Sequence, residues 1–184
     1  MKIIAFVGMP ASGKSEASNV VREMGIDVIN MGDVIREEVS RRGLEPTDAN
    51  TGAVANDLRD KEGMNAVAIR CIPKIRKTGD EIVVVDGVRG IAEVRLFKEE
   101  FGDEFSLIFL DTPLEIRFER VMGRGRSDDD MKSPDDLKRR DDRELKWGLP
   151  EAIEAANITI ENTSTIPDFR DKIKDALENL NGHC

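Results

Sequence analysis

Eight residues near the start of the chain carry its plainest chemistry. Gly8-Met9-Pro10-Ala11-Ser12-Gly13-Lys14-Ser15 fits the spacing G-x-x-x-x-G-K-[ST], directly after the apolar run Lys2 to Val7 and at the start of a helical pattern from Lys14. Backbone N–H groups can wrap a phosphate only where side chains leave them open, and Gly8 and Gly13 supply the backbone freedom this requires. Gly8, Pro10, Ala11, Ser12 and Gly13 are therefore expected to cradle phosphate. Lys14 is expected to reach the β- and γ-phosphates and take part in catalysis, and the Ser15 hydroxyl to coordinate magnesium. ATP with Mg2+ is the ligand pair these residues predict.

A magnesium site also takes a carboxylate from the end of a neighbouring apolar strand. Ile82-Val83-Val84-Val85-Asp86 ends in one, followed by Gly87 where backbone must come close. Asp86 is the second expected metal ligand, although a strand-ending aspartate standing alone is as often a turn or cap residue.

Arginine is the other conspicuous chemistry. The chain is acidic, with 28 Lys and Arg against 37 Asp and Glu and a formal charge of -9, yet Arg117, Arg120, Arg124, Arg126, Arg139, Arg140 and Arg143 crowd one region. A planar guanidinium suits bidentate phosphate contacts and the spread charge of a transferring phosphoryl group. Arg124 and Arg126, on either side of a glycine, are expected to act in catalysis. Arg139, Arg140 and Arg143 divide evenly between that role and pairing with Asp135, Asp136, Asp141 and Asp142 on a solvated helix.

The acceptor of such a transfer falls to Asp33, Arg36 and Arg89. An already ionised phosphate acceptor needs no base and would be clamped by Arg36 and Arg89. A hydroxyl acceptor is better served by a carboxylate near its proton, and Asp33 has the right type. Asp33 is alternatively the N-cap of a helix beginning at Val34, and Arg36, one turn on, shares its side, so the two act together or simply pair. Arg59 and Arg70 are further candidate contacts, with bracing or surface roles the commoner alternative.

These residues must be positioned by something. Short Ile- and Val-rich runs at Lys2 to Val7, Val28 to Asn30, Glu81 to Asp86, Phe105 to Asp111 and Ile158 to Glu161 read as strands buried on both faces. Helical spacing fills the intervals: Lys14 to Met24, Asp33 to Arg42, a pair between Thr47 and Lys77, Ile91 to Phe101, Leu114 to Met122, Pro134 to Trp147 and Ile166 to Leu180. Thr47 or Asp48 should cap one helix of the pair and Gly63 end it, and Pro73 predicts a kink or break near Ile69. Alternating strands and helices predict an α/β fold in three layers: a five-stranded parallel sheet flanked by helices, the P-loop NTPase fold. One domain spans residues 1–184, with a helical acceptor-binding insertion at about 31–80 and a short lid at about 123–134.

Composition excludes other classes. With 39% hydrophobic and 35% charged residues, the chain suits a soluble globular protein, and its net negative charge disfavours duplex nucleic acid and membrane surfaces. No apolar run spans a bilayer, so a cytoplasmic location is expected. Cys71 and Cys184 lie far apart and make no zinc or disulfide pattern, and the one histidine, His183, is next to last. Aromatics are 4% with no Tyr, too few for the stacking platforms of single-strand binders. The chain lacks the Asn-Lys-x-Asp element that reads guanine in small GTPases, and it is too short for the paired motor domains of a helicase.

Taken together the motifs resemble the nucleoside monophosphate kinase superfamily, with particular similarity to adenylate kinases and dephospho-CoA kinases and to an archaeal group of kinase-like proteins. Gly8 to Ser15 is the shared P-loop. Met31-Gly32-Asp33-Val34-Ile35-Arg36 looks like the acceptor-site Gly-Asp-x-x-Arg, and Asp86-Gly87-Val88-Arg89 resembles Asp-Gly-x-Pro-Arg one residue shorter, followed by Gly90 rather than Thr. Arg126-Ser127-Asp128-Asp129 is similar to the Arg-x-Asp-Asp after an adenylate kinase lid. Ala156 to Thr163 looks like the late strand and Asn turn that border the adenine, which implies Asn162 as a nucleotide contact.

The resemblance implies transfer of the γ-phosphate of Mg-ATP to a nucleotide or nucleotide-like small molecule, by a monomer or homodimer. Transfer to a hydroxyl, as in dephospho-CoA kinases, is the alternative. A nucleotide-binding regulatory switch with weak ATPase activity is the alternative of another class.

Overall fold

The structure is a computed structural model that describes residues 1–124 and 133–182, apart from the side chains of Asp48, Arg124 and Arg143. Most of the expected lid, Arg126, His183 and Cys184 lie outside the described residues.

The elements are β1 (Lys2–Val7), α1 (Lys14–Glu23), β2 (Asp27–Asn30), α2 (Met31–Arg41), α3 (Asp48–Glu62), α4 (Ala66–Thr78), β3 (Ile82–Val88), α5 (Ile91–Phe101), a 3-10 turn (Gly102–Glu104), β4 (Phe105–Asp111), α6 (Leu114–Arg124), α7 (Pro134–Leu145), α8 (Leu149–Glu154), β5 (Ile158–Glu161) and α9 (Ile166–Asn181). All strand pairs are parallel, in the order β2-β3-β1-β4-β5. Ile3 lies beside Val83 on one side and Phe105 on the other, so β1 is the central strand. The loop after β1 therefore opens at the carboxyl edge of the sheet, where open α/β sheets bind ligands.

The period of two along β1 splits the core. Ile3, Ala5 and Val7 face the layer that holds α2, α3, α4 and α5, with Val39, Leu58, Ile75 and Phe97 in the same cluster. Ile4 and Phe6 face α1 and α9, packing with Val20, Val21, Phe169 and Ile173. Both layers are packed from apolar side chains, and each fully buried side chain of this size contributes about 1.5–3 kcal/mol.

Three local expectations need correction. α2 begins at Met31 and is capped by Asn30, whose side chain accepts from Gly32 N at 2.8 Å, so Asp33 is a first-turn residue and not the cap. α4 runs unbroken through Pro73, because Pro73 and Ile69, whose carbonyl loses its helical donor, both lie at the surface and the missing bond leaves no buried polar group. The pattern from Pro134 to Trp147 stops at Leu145, and a further short helix, α8, starts beyond Gly148, whose φ of 82 ends the preceding turn.

Gly90 follows Arg89 for a steric reason. Its φ of -162 would suit any residue, but an added Cβ would lie 2.0 Å from the Trp147 carbonyl oxygen. Ile91 N also donates to Gly148 O at 3.0 Å, fixing the α7–α8 turn on the start of α5. Gly90→Ala is expected to cost at least about 1–3 kcal/mol, the usual range for overpacking, read as a lower denaturation midpoint with altered Trp147 emission. An unchanged midpoint would mean that this turn does not rest on Gly90.

Candidate active site

The loop between β1 and α1 is held by its neighbours before any ligand arrives. Gly13 sits at φ 106 as the N-cap of α1, and an added Cβ would lie 2.3 Å from Asn162 Nδ2. Gly8 is needed for closeness instead: its Cβ would meet Ser12 Oγ at 2.6 Å and the Leu110 carbonyl at 2.8 Å. Three side chains from outside the loop hold its carbonyls. Thr112 Oγ1 and Asn162 Nδ2 donate to Ser12 O at 3.0 and 2.9 Å, and Arg117 Nη1 donates to Pro10 O at 3.1 Å. Arg117 is fixed in turn by two bonds to the Asp141 carboxylate, at 2.9 and 2.7 Å. Loop amides fixed this way lose little entropy on meeting an anion.

A cleft of about 440 Å³ opens beside the loop. The loop contributes Pro10 to Ser15, β3 ends in Asp86, Gly87 and nearby Arg89, and α2 contributes Met31, Gly32, Ile35 and Arg36. α3 adds Thr51, Gly52, Ala55 and Arg59, and Arg140, Glu144 and Trp147 also line the cleft.

The cleft is lined by more cations than carboxylates, with Lys14, Arg36, Arg59, Arg89 and Arg140 against Asp86 and Glu144. Asp86 Oδ2 accepts from Ser18 Oγ at 2.9 Å and from Asn30 Nδ2 at 3.2 Å, which aims the carboxylate from the end of β3. Arg89 pairs with Glu144, and Arg140 Nε reaches the same carboxylate at 3.4 Å. Burial alone would push the Glu144 carboxyl up, but Arg89, Lys14 and Arg140 together hold it below its usual range. Behind them Glu93 accepts from Arg89 N at 2.7 Å and from Arg59 at 3.4 Å, while the Arg59 guanidinium lies 4.6 Å from the Trp147 ring. Burial raises Glu93, despite both arginines.

Lys14 Nζ donates to Gly8 O at 2.6 Å and Met9 O at 2.9 Å. Burial, with the repulsion of Arg89 next, lowers its pKa to about 8. A phosphate ligand favours the charged amine, so nucleotide binding should take up about half a proton at pH 8. Affinity should then fall by up to about tenfold per pH unit above that point. Calorimetry in buffers of different ionisation enthalpy checks this; no proton uptake at pH 8 would mean Lys14 does not meet the phosphates.

The residues fit a magnesium ion only alongside a phosphate. Ser15 and Asp86 line the same cleft, whereas the described residues contain no group of three or more His, Cys, Asp or Glu side chains able to enclose a metal. Two protein oxygens with phosphate and water completing the shell is the usual magnesium arrangement.

The expected residues divide clearly. Lys14, Ser15, Asp86, Arg36 and Arg89 line one cleft. Asp33 does not: it pairs with Arg36 in solvent, its side chain 61% exposed. Asn162 is buried, and its amide is occupied by Ser12 O and by Arg120, which donates to Oδ1 at 3.0 Å, so it braces the loop from beneath. Arg70 pairs with Glu62, and Arg139 with Asp136 on an exposed helix face. Arg140 points into the cleft, and Arg59 forms part of its wall. The side chain of Arg124 and all of Arg126 lie outside the description.

Glu144, Glu93 and Trp147 were not expected. A signal for Glu144 exists in the pattern: Leu137, Asp141 and Glu144 repeat at helical spacing and all are buried, so α7 turns two carboxylates inward where apolar residues would be normal.

The AAA domain family matches residues 7–138. A UPF0200 protein of Methanosarcina acetivorans is 65% identical over 179 residues, covering 97% of this chain and 95% of its own. A gluconokinase from Sinorhizobium meliloti superposes with a TM-score of 0.61 at 17% identity, over 97% of this chain and 93% of the other. A shikimate kinase from Acinetobacter baumannii, in complex with shikimate, gives 0.58 at 20% identity over 100% and 96%. At such identities the two structures speak for the fold, a P-loop kinase-like α/β sheet. Among the described residues no helix is long and apolar enough to cross a membrane.

Proposed function

This chain belongs to the UPF0200 family and to the AAA domain family, and from that premise we propose that it is a phosphotransferase moving the γ-phosphate of Mg-ATP to a small anionic acceptor of the nucleotide type. The observation that carries the reading is that the phosphate loop from Pro10 to Ser15, the strand-end carboxylate of Asp86 and four arginines, Arg36 and Arg89 among them, share one cleft. Mg-ATP would supply the phosphoryl group and neutralise its charge. For the chain's own part, the loop amides and Lys14 would hold phosphate oxygens, Ser15 and Asp86 would hold the metal, and Arg36 and Arg89 would hold the acceptor's anion. Arg124 and Arg126 are proposed to close on the transferring group from the lid and exclude water.

Transfer to a hydroxyl is the second reading, favoured by the kinase names of the two similar folds. It requires Asp33 to leave Arg36 and turn into the cleft. The two readings separate by mutation. For an anionic acceptor, Arg36→Ala is expected to raise KM about ten- to a hundredfold, the value of a charge-assisted hydrogen bond, while Asp33→Asn does little. For a hydroxyl acceptor, Asp33→Asn should cost on the order of a hundredfold in kcat. The acceptor itself is found by incubating Mg-ATP with nucleoside monophosphates, dephospho-CoA, gluconate and shikimate and weighing the products. ATP consumption with no phosphorylated product from any of them would favour the regulatory ATPase over both kinase readings.

A further inference from the structure

Among the described residues Ala11 is the one non-glycine with a left-handed backbone, φ 62, and it lies in the middle of the phosphate loop. A side chain in that conformation is disfavoured and persists only where the surroundings impose it. Here the carbonyls on either side of Ala11 are both held from behind. Arg117 Nη1 donates to Pro10 O, and Thr112 Oγ1 and Asn162 Nδ2 donate to Ser12 O. Pro10 to Ser15 line the cleft, and none of the three holders does.

In a planar trans peptide the N–H points opposite to the C=O of the same unit. Drawing Pro10 O back toward Arg117 therefore turns the Ala11 N–H away from Arg117, to the cleft side of the loop. Drawing Ser12 O back does the same for the Gly13 N–H. Among the described residues neither amide donates a hydrogen bond, so the loop presents two open donors of the kind that gather an anion, each set by its own anchor.

The two anchors differ in what fixes them. Thr112 and Asn162 directly follow β4 and β5, so the sheet places them. Arg117 stands on α6 and is placed by a residue of another helix: Asp141 of α7 takes both its Nη atoms, while its Nε donates to Thr112 O at 3.1 Å. Nη1 is shared between Asp141 and Pro10 O, and an ion pair that only fastened α7 would need no such third member. Both side chains are buried, so water does not compete for the fork. The same face of α7 brings Arg140 and Glu144 to the cleft.

We propose that Asp141 is a positioning residue of the phosphate loop: acting through Arg117, it holds the Pro10 carbonyl back and so turns the Ala11 amide to the phosphates, independently of the Gly13 amide. This rests on the loop being a phosphate site and not on phosphoryl transfer, so binding alone can test it.

The experiment titrates wild type, Asp141→Asn and the apolar pair Arg117→Met/Asp141→Leu with inorganic tripolyphosphate and with a non-hydrolysable ATP analogue, following the Ala11 and Gly13 amides by NMR. In wild type both resonances are expected to move saturably. In the apolar pair Gly13 should still move and Ala11 should not, with both probes bound at least about tenfold more weakly. Replacing a buried ion pair by apolar residues is often neutral for stability, so this variant should melt within about 4 °C of wild type. Asp141→Asn should bind about threefold more weakly with a reduced Ala11 response and an unchanged Gly13 response, and it carries the test if the apolar pair fails to fold. The proposal is overturned if the folded variants bind like wild type, if Ala11 responds in them as in wild type, or if both amides lose their response together, which would mean that the ion pair only stiffens the loop as a whole. Binding in the expected order without transfer to any acceptor would sink the phosphotransferase reading and leave the role of Asp141 intact.

Discussion

Lys14→Ala is expected to reduce phosphoryl transfer on the order of a thousandfold or more while the protein still unfolds cooperatively, at a temperature equal to or above that of wild type. Loss of one preorganised donor at a developing charge already costs about 10²–10³ in rate, and Lys14 is a full cation aimed at two phosphates in the proposed complex. Stability should move the other way. Among the described residues Lys14 bonds only to the Gly8 and Met9 carbonyls of its own loop, and its pKa is lowered to about 8 by burial and by Arg89. A lowered lysine pKa means the folded state disfavours the charged amine, so below about pH 8 Lys14 destabilises the fold and its removal relieves that cost. Turnover and thermal melting at pH 7 test the two halves separately. A variant that keeps its rate, or one that melts well below wild type, would mean that Lys14 serves the fold and not the phosphates.

Lys14 was legible in the sequence because its whole context is local: a strand, a glycine loop and a helix start within fifteen residues fix where it must lie. Asp86 was legible for a similar reason, since the end of an apolar strand in a parallel sheet opens on the same edge as the loop. Arg36 followed from its position one turn into a helix on that edge. Asp33, on the same turn, follows the same spacing but stands outside the cleft, because a helix offers several faces and spacing alone does not say which one is turned inward.

The rest of the site is built by contacts far apart in the chain. Asn162 reaches the loop across 150 residues, and Arg117 ties the loop to Asp141 through α6. The resemblance implied Asn162 as a nucleotide contact, and Arg117 stood out only as one of the crowded arginines; the structure shows both side chains bonded to carbonyls of the loop. The glycine after Arg89 was a visible departure whose cause, the Trp147 carbonyl, lies 57 positions on and has no local signature. Arginine and aspartate content predicted either a catalytic cluster or a salt-bridged surface for Arg139, Arg140 and Arg143, and α7 has one salt-bridged face and one face that lines the cleft. Its outer face pairs Arg139 with Asp136, and its inner face brings Arg140 and Glu144 to the cleft.

That inner face gives the second large effect. Glu144→Ala is expected to lower stability by about 3 kcal/mol, the low end of the range for removing one partner of a buried ion pair; Arg89 and Arg140 are each 32% exposed, so water takes up part of the loss. The cost arises because Arg89, Arg140 and Lys14 would face one another without the carboxylate that now lies among them. Glu144→Gln keeps the shape without the charge and should fall between the two. The sign with pH follows from the depressed carboxyl: the stability Glu144 contributes is present above the ordinary glutamate pKa and is lost as pH falls through its lower folded value, so wild type and Glu144→Ala should converge in acid. A further consequence separates this cluster from a merely structural pair. If these cations are a phosphate site, inorganic phosphate or ATP should replace the missing carboxylate and raise the melting temperature of Glu144→Ala more than that of wild type. Equal melting of all three proteins, or equal gains on adding phosphate, would show that the Glu144 carboxylate does not hold the place a ligand anion takes.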